Sequence, residues 1–152
     1  MRNIPPAIRI LPMDSKEEPG FAGSSIWEVQ RQYFLNELVR PGRPAGRFHF
    51  HKSGLRAEPG TVVLFQFGGK IIASAVLSSI ERFSEAEHGC FRGAFQFDAK
   101  SIRVFDPVDA AAIRKIWPQV SRLGQAKWSL DPKFYEEFER SLTGVDSPDN
   151  HH

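Results

Sequence analysis

The chain has a single cysteine, Cys90, among its 152 residues, so an internal disulfide is excluded. No apolar run approaches the roughly 20 residues that a membrane-spanning helix needs. The first residues also lack the apolar core of a secretory signal peptide. These absences predict a protein of the reducing cytoplasm that has no contact with a membrane.

Motifs that would indicate catalysis or metal binding are also scarce. The sequence contains no Gly-x-Ser-x-Gly elbow, no phosphate-cradling glycine loop and no His-Glu-x-x-His. His49 and His51 would share one face of a strand, but no second spaced pair completes a set of metal ligands. Nothing near Cys90 would activate its thiol. We therefore predict no catalytic residue, no metal site and no cofactor.

What the sequence does contain is typical of one globular domain. A chain of this length, 41% hydrophobic and 25% charged, is long enough to bury a substantial core. We predict a single domain over residues 1–142. Residues 143–152 are predicted to form a disordered tail.

The strongest structural signal lies in residues 59–77. Two runs of β-branched and aromatic residues flank Gly68 and Gly69, which can adopt the positive φ angles of a tight hairpin turn. Both runs are apolar on both faces over much of their length, so the hairpin should be buried on both sides or curled into a barrel. Its predicted core residues are Val63, Phe65 and Ile72.

Shorter signals complete the predicted architecture. Ser25 and Glu28 form a capping-box pattern that opens a helix ending before Pro41. Asp106 and Asp131, each followed by proline, predict the starts of two more helices. Further strands are predicted over residues 7–11, 47–51, 79–83, 93–97 and 101–105, with a polar loop over 84–92. Together these elements predict an α+β fold, a small bent β-barrel of five to six strands with flanking short helices.

Charge is unevenly distributed along the chain. Residues 31–60 hold six Lys or Arg against two acids, whereas residues 131–152 hold two basic residues against six acids. A basic middle and an acidic end indicate a positive face that could meet phosphate groups. A solvated surface with an uneven charge distribution is the alternative, and charge alone does not separate the two.

The order of these elements resembles a known superfamily. An early helix with Trp27, an aromatic strand and a Pro-Gly turn that leads into residues 61–77 resemble the PUA-like superfamily, in particular its EVE-type branch. Residues 93–142 resemble the C-terminal half of EVE-like modules found beside HNH endonuclease domains. The resemblance covers roughly residues 20–142 and is one of pattern, without an invariant signature. It implies a β-barrel that binds RNA or modified DNA, and several branches take up one flipped, modified base.

The resemblance also implies a set of binding residues. A flipped base presents two π-faces and a hydrogen-bonding edge, so its reader needs aromatic side chains and fixed polar groups. Phe21 and Trp27 lie near the mouth of the family's pocket, and the Gln66 amide is placed to read a base edge. The predicted phosphate contacts are Arg43, Arg47, Lys52 and Arg56. Against this, Trp27 could equally be a core residue, because a domain of this size buries most of its aromatic side chains.

We therefore predict a nucleic-acid-binding module that reads a modified base in DNA or RNA, as the base-reading modules of restriction systems do. Any cleavage is expected from a separate partner nuclease, and a nuclease or a helicase is the expected protein partner. One alternative is an enzyme of the related ASCH type that acts on RNA or nucleotides, with Lys52, His49 and Tyr33 as candidate residues. Another is a protein-interaction module that uses its acidic last helix.

Overall fold

The computed structural model describes residues 4–13, 24–38, 47–50, 57–87, 91–124 and 127–148. Strands and short helices are mixed along these ranges, so the predicted α+β class is confirmed. The strands are β1 (Ile8–Pro12), β2 (Arg47–Phe50), β3 (Val62–Phe67), β4 (Lys70–Glu87), β5 (Phe91–Phe97), β6 (Arg103–Val108) and β7 (Ser129–Leu130). The helices are α1 (Ile26–Glu28), continued by a π-helical segment (Val29–Glu37), α2 (Ala110–Ile116) and α3 (Tyr135–Ser141); 3-10 turns occupy Ala99–Ser101 and Pro132–Phe134.

The seven described strands form a mixed sheet that bends through β4. Their order is β2-β5-β4-β3-β1-β7, and β6 pairs with β4 as well. β1 runs parallel to β3, while the other pairs are antiparallel. Residues 70–76 of β4 pair with β3 and β6, and residues 77–87 pair with β5. Because one strand serves both halves, the sheet has the small, bent, barrel-like form expected from the sequence.

The central hairpin is confirmed in detail. β3 and β4 pair antiparallel through a turn in which Gly68 has a φ of 62° and Gly69 a φ of 74°. Val63 is 1% exposed, and Phe65 and Ile72 are fully buried. Glycine is needed at both turn positions, because a side chain in this left-handed region is strained.

Two apolar clusters cover the two faces of the sheet. Side chains alternate along a strand, so Val63, Phe65 and Phe67 of β3 face one cluster while Val62 and Leu64 face the other. The first cluster packs against the π-helical segment, and the second packs against α2 and α3. The helical residues involved are Val29, Phe34, Leu35 and Leu38 on the first face, and Ile113, Ile116 and Phe138 on the second. No helix within the described ranges has the length and apolar character needed to cross a membrane.

The second helix begins later than the sequence predicts. Asp106 and Pro107 lie inside β6, which continues until Val108 pairs with Ile71 of β4. Asp109 is the actual N-cap, and its carboxylate accepts a hydrogen bond from the Ala112 N–H at 2.9 Å. Pairing with β4 therefore overrides the local Asp-Pro signal.

Strand also occupies the described parts of the predicted loop over residues 84–92, whereas residues 88–90 lie outside the described ranges. β4 runs to Glu87, and β5 begins at Phe91, with which Glu87 pairs. The sequence signal there was polarity, but an extended segment needs only a partner strand for its backbone.

Residues 143–148, predicted to belong to a disordered tail, are held against β6. The Val104 N–H donates to the Asp146 carbonyl at 2.9 Å, and the Asp146 N–H donates to the Val104 carbonyl at 2.8 Å. The Thr143 hydroxyl donates to the Asp106 carboxylate at 2.7 Å. We call residues 143–148 the C-terminal segment. These backbone bonds extend the sheet in the way that a short added strand would.

Candidate nucleic-acid interface

Trp27 is held at the start of α1 with its indole in solvent. The predicted capping box is complete: the Ser25 hydroxyl accepts from the Glu28 N–H at 3.1 Å, and the Glu28 carboxylate accepts from the Ser25 N–H at 3.0 Å. Ile26 packs onto the hairpin turn, where a Cβ built on Gly68 would lie 3.3 Å from its Cδ1. Trp27 itself is 63% exposed. The fold thus presents an aromatic ring to solvent from a fixed helix start.

A cation lies beside this ring. The Arg31 guanidinium carbon is 6.0 Å from the centre of the Trp27 ring, one turn along the same helix. Arg31 also forms an ion pair with Asp146 of the C-terminal segment, with 2.8 Å between Nη1 and Oδ2. Arg31 is not among the binding residues predicted from the sequence, although its i, i+4 spacing from Trp27 is a usable signal.

A buried amide fixes this helical region to the sheet. Gln30 is 8% exposed, and its Nε2 donates to the Ile72 carbonyl at 3.0 Å and to the Phe105 carbonyl at 2.6 Å. Ile72 lies where the register between β4 and β6 shifts, and Phe105 lies beside the paired Val104. Both N–H groups of the amide are therefore used on backbone carbonyls of two strands. Gln30, a polar residue on the buried side of the helix, was likewise not predicted from the sequence.

Gln66 is buried in the described structure, and the base-edge role predicted for its amide stays a prediction. The side chain is 1% exposed, and its Nε2 donates to the Gly124 carbonyl at 2.8 Å. Its neighbours Phe65 and Phe67 face the cluster beneath the helix, so by alternation Gln66 faces the opposite side of the sheet. Gln66 thus joins β3 to the connection between α2 and β7.

The remaining predicted contacts are not tested by the structure. Phe21, Arg43, Lys52 and Arg56 lie outside the described residues. Arg47 is in β2, where its backbone lies opposite Gln96 of β5, but its side chain is outside the described part of the structure. The roles predicted for these five residues stay predictions.

The candidate enzyme residues are equally untested as a group. Tyr33 is half-buried, and its ring packs edge-on against Phe34 with 5.1 Å between centres. His49 is in β2, with its side chain outside the described part, and Lys52 lies outside it altogether. In the described ranges no group of three or more His, Cys, Asp or Glu could hold a metal ion.

Two cavities within the described residues lie away from Trp27. One, of about 530 Å³, is at the start of β1 and β3 and is lined by Arg9, Glu58 and Thr61 among others. The other, of about 450 Å³, lies between the start of α2 and α3 and is lined by Asp109 and Glu137 among others. The concave base site expected beside Trp27 stays a prediction, because residues 14–23, which lead to this helix, lie outside the described ranges.

The acidic last helix is partly neutralised by its surroundings. Burial, together with the charge of Glu139 and against the effect of Arg103, raises the pKa of Tyr135 to about 12. Burial also raises the pKa of Glu139, against the effect of Arg103. Glu136 forms an ion pair with Arg140 on the same helix. Glu136 and Glu139 of α3 therefore each have a basic group nearby.

Comparisons with known proteins identify no family. No family model matches the chain, and no curated protein matches it. Among solved structures, the chain is similar to the crystal structure of the YTH domain of the Zygosaccharomyces rouxii MRB1 protein in complex with N6-methyladenosine RNA. The TM-score is 0.48 and the sequence identity 13%, over 97% of this chain and 94% of that chain. A likeness of this degree is too low to transfer either the family or the RNA ligand, so the PUA-like, EVE-type resemblance stays a prediction.

Proposed function

We propose that this protein is a nucleic-acid-binding module of the PUA-like, EVE-type kind that reads a modified, flipped base in DNA or RNA. The observation that carries the proposal is the exposed indole of Trp27 on a capped and anchored helix. The sequence pattern over residues 20–142 supplies the expectation of base recognition. A nuclease or helicase partner and a cytoplasmic location belong to the same proposal.

The exposure of Trp27 favours a binding role over a packing role. Tryptophan is enriched at binding interfaces, because its ring offers a large apolar area together with an N–H donor. Among the described residues, the exposed large hydrophobic side chains are Ile4, Trp27 and Val145, and Trp27 is the aromatic one of these. Stacking on such a ring is worth roughly 1–3 kcal/mol per base and tolerates any base.

The charge around Trp27 suits a phosphate backbone. Arg31 lies 6.0 Å from the ring. Residues 31–60 carry a basic excess in sequence, six Lys or Arg against two acids. An aromatic platform beside cations is the usual composition of a site for single-stranded or flipped nucleotides. We infer that the base would stack on Trp27 while neighbouring cations hold its phosphates.

Replacing Trp27 by alanine tests the base contact. We expect W27A to weaken binding to an oligonucleotide with the modified base about tenfold or more, which corresponds to the loss of one stacking contact. The melting temperature should stay nearly unchanged, because the ring is exposed. Binding is measured by fluorescence anisotropy against a panel of modified and unmodified DNA and RNA oligonucleotides. The matched control is W128A, since Trp128 is half-buried against the second cluster and should affect stability, not base selectivity.

Salt dependence tests the phosphate contacts. Each phosphate contact adds roughly −0.7 to −0.9 to the slope of log affinity against log salt. Charge reversal at Arg47 or Lys52 should therefore flatten the slope. An equal loss for modified and unmodified oligonucleotides in W27A would remove the base-reading claim. If no DNA or RNA binds at low salt, the protein-interaction alternative is favoured.

A further inference from the structure

We propose that Asp146 restrains Arg31 through their ion pair. While this pair is closed, the C-terminal segment lowers the affinity for phosphate of the surface formed by Trp27 and Arg31, which we call the Trp27 face. The segment would then act as a built-in competitor, with its carboxylate in the place of a nucleic-acid phosphate. This inference rests on the proposed function, because it concerns the same face of the protein.

The geometry places the three groups next to one another. Arg31 lies 6.0 Å from the Trp27 ring and 2.8 Å from the Asp146 carboxylate. The side chains of Arg31 and Asp146 are 35% and 21% exposed, so solvent screens this pair less than a fully exposed one. A carboxylate and a phosphate oxygen use the same guanidinium donors. Phosphate binding by Arg31 therefore competes with Asp146.

The C-terminal segment is held by hydrogen bonds to β6. Val104 and Asp146 exchange two backbone bonds, the Asp106 N–H donates to the Thr143 carbonyl at 2.9 Å, and the Thr143 hydroxyl donates to the Asp106 carboxylate at 2.7 Å. Gly144 has a φ of 61°, and a Cβ built there would lie only 2.4 Å from an Asp106 carboxylate oxygen. Residues 143–148 belong to neither of the two described apolar clusters, so the segment can detach without disturbing them. This makes the pair a contact that can open while the rest of the fold stays intact.

The charge-neutral variant D146N tests the proposal. Asparagine keeps the side-chain oxygen that accepts from the Ser147 N–H at 2.9 Å, but it removes the negative charge. One additional phosphate contact should steepen the log–log salt slope by about 0.7–0.9 and raise affinity roughly tenfold at about 50 mM salt, with little change near 1 M. The probe is a labelled abasic deoxyribose-phosphate oligonucleotide, which has phosphates but no bases to stack.

Two controls distinguish the release of Arg31 from the general effect of removing one negative charge. E58Q makes the same charge change at Glu58, an exposed residue just before β3. Ile26 of α1 packs at the other end of β3, and a strand of six residues spans roughly 20 Å, so Glu58 lies far from the start of the Trp27 helix. E58Q should leave the slope nearly unchanged. In an R31Q background, D146N should bring no gain, because the released cation is gone. A gain that persists with R31Q would mean that Asp146 merely repels phosphate, and it would overturn the proposal.

A second variant leaves both charges in place. G144A should loosen the C-terminal segment through the contact with Asp106, and it should reproduce part of the D146N gain. Its control is G69A, where the φ is also positive but no atom lies within 4 Å of the added Cβ.

The outcomes distinguish this inference from the base-reader proposal. If D146N binds the abasic probe more tightly than both the original protein and E58Q, the restraint is supported, even where W27A has no effect on modified oligonucleotides. If W27A loses selective binding while D146N behaves like E58Q, the base reader stands and the restraint is refuted. Absence of binding by the original protein and by D146N refutes both.

Discussion

The buried amide of Gln30 offers a sharp test of how the Trp27 helix is held. In Q30L the side chain keeps a similar size but loses its two donors. The carbonyls of Ile72 and Phe105 then lose hydrogen bonds of 3.0 Å and 2.6 Å within the fold. Each lost bond costs about 0.5–1.5 kcal/mol net, and more where the acceptor stays buried and unsatisfied, so we expect about 2–4 kcal/mol in total. In a chain of this size that lowers the melting temperature by about 5–15 °C.

The matched control is Q32L on the same helical segment. Gln32 is exposed, so the same substitution two residues away should change stability by less than about 0.5 kcal/mol. Stability is measured by urea unfolding followed by circular dichroism, with the free energies compared at constant m-value. If Q30L and Q32L unfold at the same urea concentration, Gln30 does not fasten the helix to β4 and β6.

Three further predictions follow from burial, backbone angle and titration. F65A should cost on the order of 3–5 kcal/mol by urea unfolding, because Phe65 is fully buried between Phe34 and Phe97; a loss below 1 kcal/mol would contradict the core assignment. G68A and G69A should each lose about 1–2 kcal/mol of stability to backbone strain, because both positions have positive φ angles. G68A should lose more than G69A, because its added Cβ meets Ile26, and equal melting temperatures of the two variants would contradict that contact. The pKa of Tyr135 is raised from 10.0 to about 12, so its stabilising effect is complete below pH 10 and is lost as pH rises through 12. In Y135F the high-pKa phase of the tyrosinate absorbance titration should disappear, and the loss of stability at alkaline pH should shrink by up to about 2–3 kcal/mol. If both tyrosines of the original protein titrate with ordinary pKa values, the raised pKa of Tyr135 is refuted.

The elements that were predicted correctly are those encoded by neighbouring residues. The turn at Gly68 and Gly69 needs positive φ angles, and the capping box at Ser25 needs a partner three residues away. Both signals are complete within a few residues. Sequence reasoning could therefore place the hairpin and the start of the first helix.

The elements that were missed depend on distant partners. β4 extends to Glu87 because β5 lies beside it, although the local sequence there is polar. β6 runs through Asp106 and Pro107 because β4 pairs with its end. The helical segment after α1 is π-helical over Val29–Glu37, a form that the capping box at Ser25 does not signal, and Phe34 and Leu35 of this segment are buried in the first cluster.

The candidate site divides in the same way. The exposure of Trp27 fits the binding role implied by the resemblance, and that role can be stated from the sequence. The ion pair beside it cannot, because Asp146 is 115 residues away from Arg31 along the chain. Its contact arises only when the C-terminal segment joins β6, and that segment was predicted to be disordered.

Gln30 and Gln66 explain why a polar residue in an apolar run is ambiguous. Gln66 lies where the register between β3 and β4 shifts, and Gln30 donates to Ile72 where the register between β4 and β6 shifts. A register shift disturbs the hydrogen-bonding ladder, and the Gln30 amide donates to a carbonyl at such a shift. The Gln66 amide donates instead to the Gly124 carbonyl, outside the strands. Both buried amides thus join the backbone of different elements, so a lone glutamine in a strand is weak grounds for a base-reading role unless the structure also opens it to solvent.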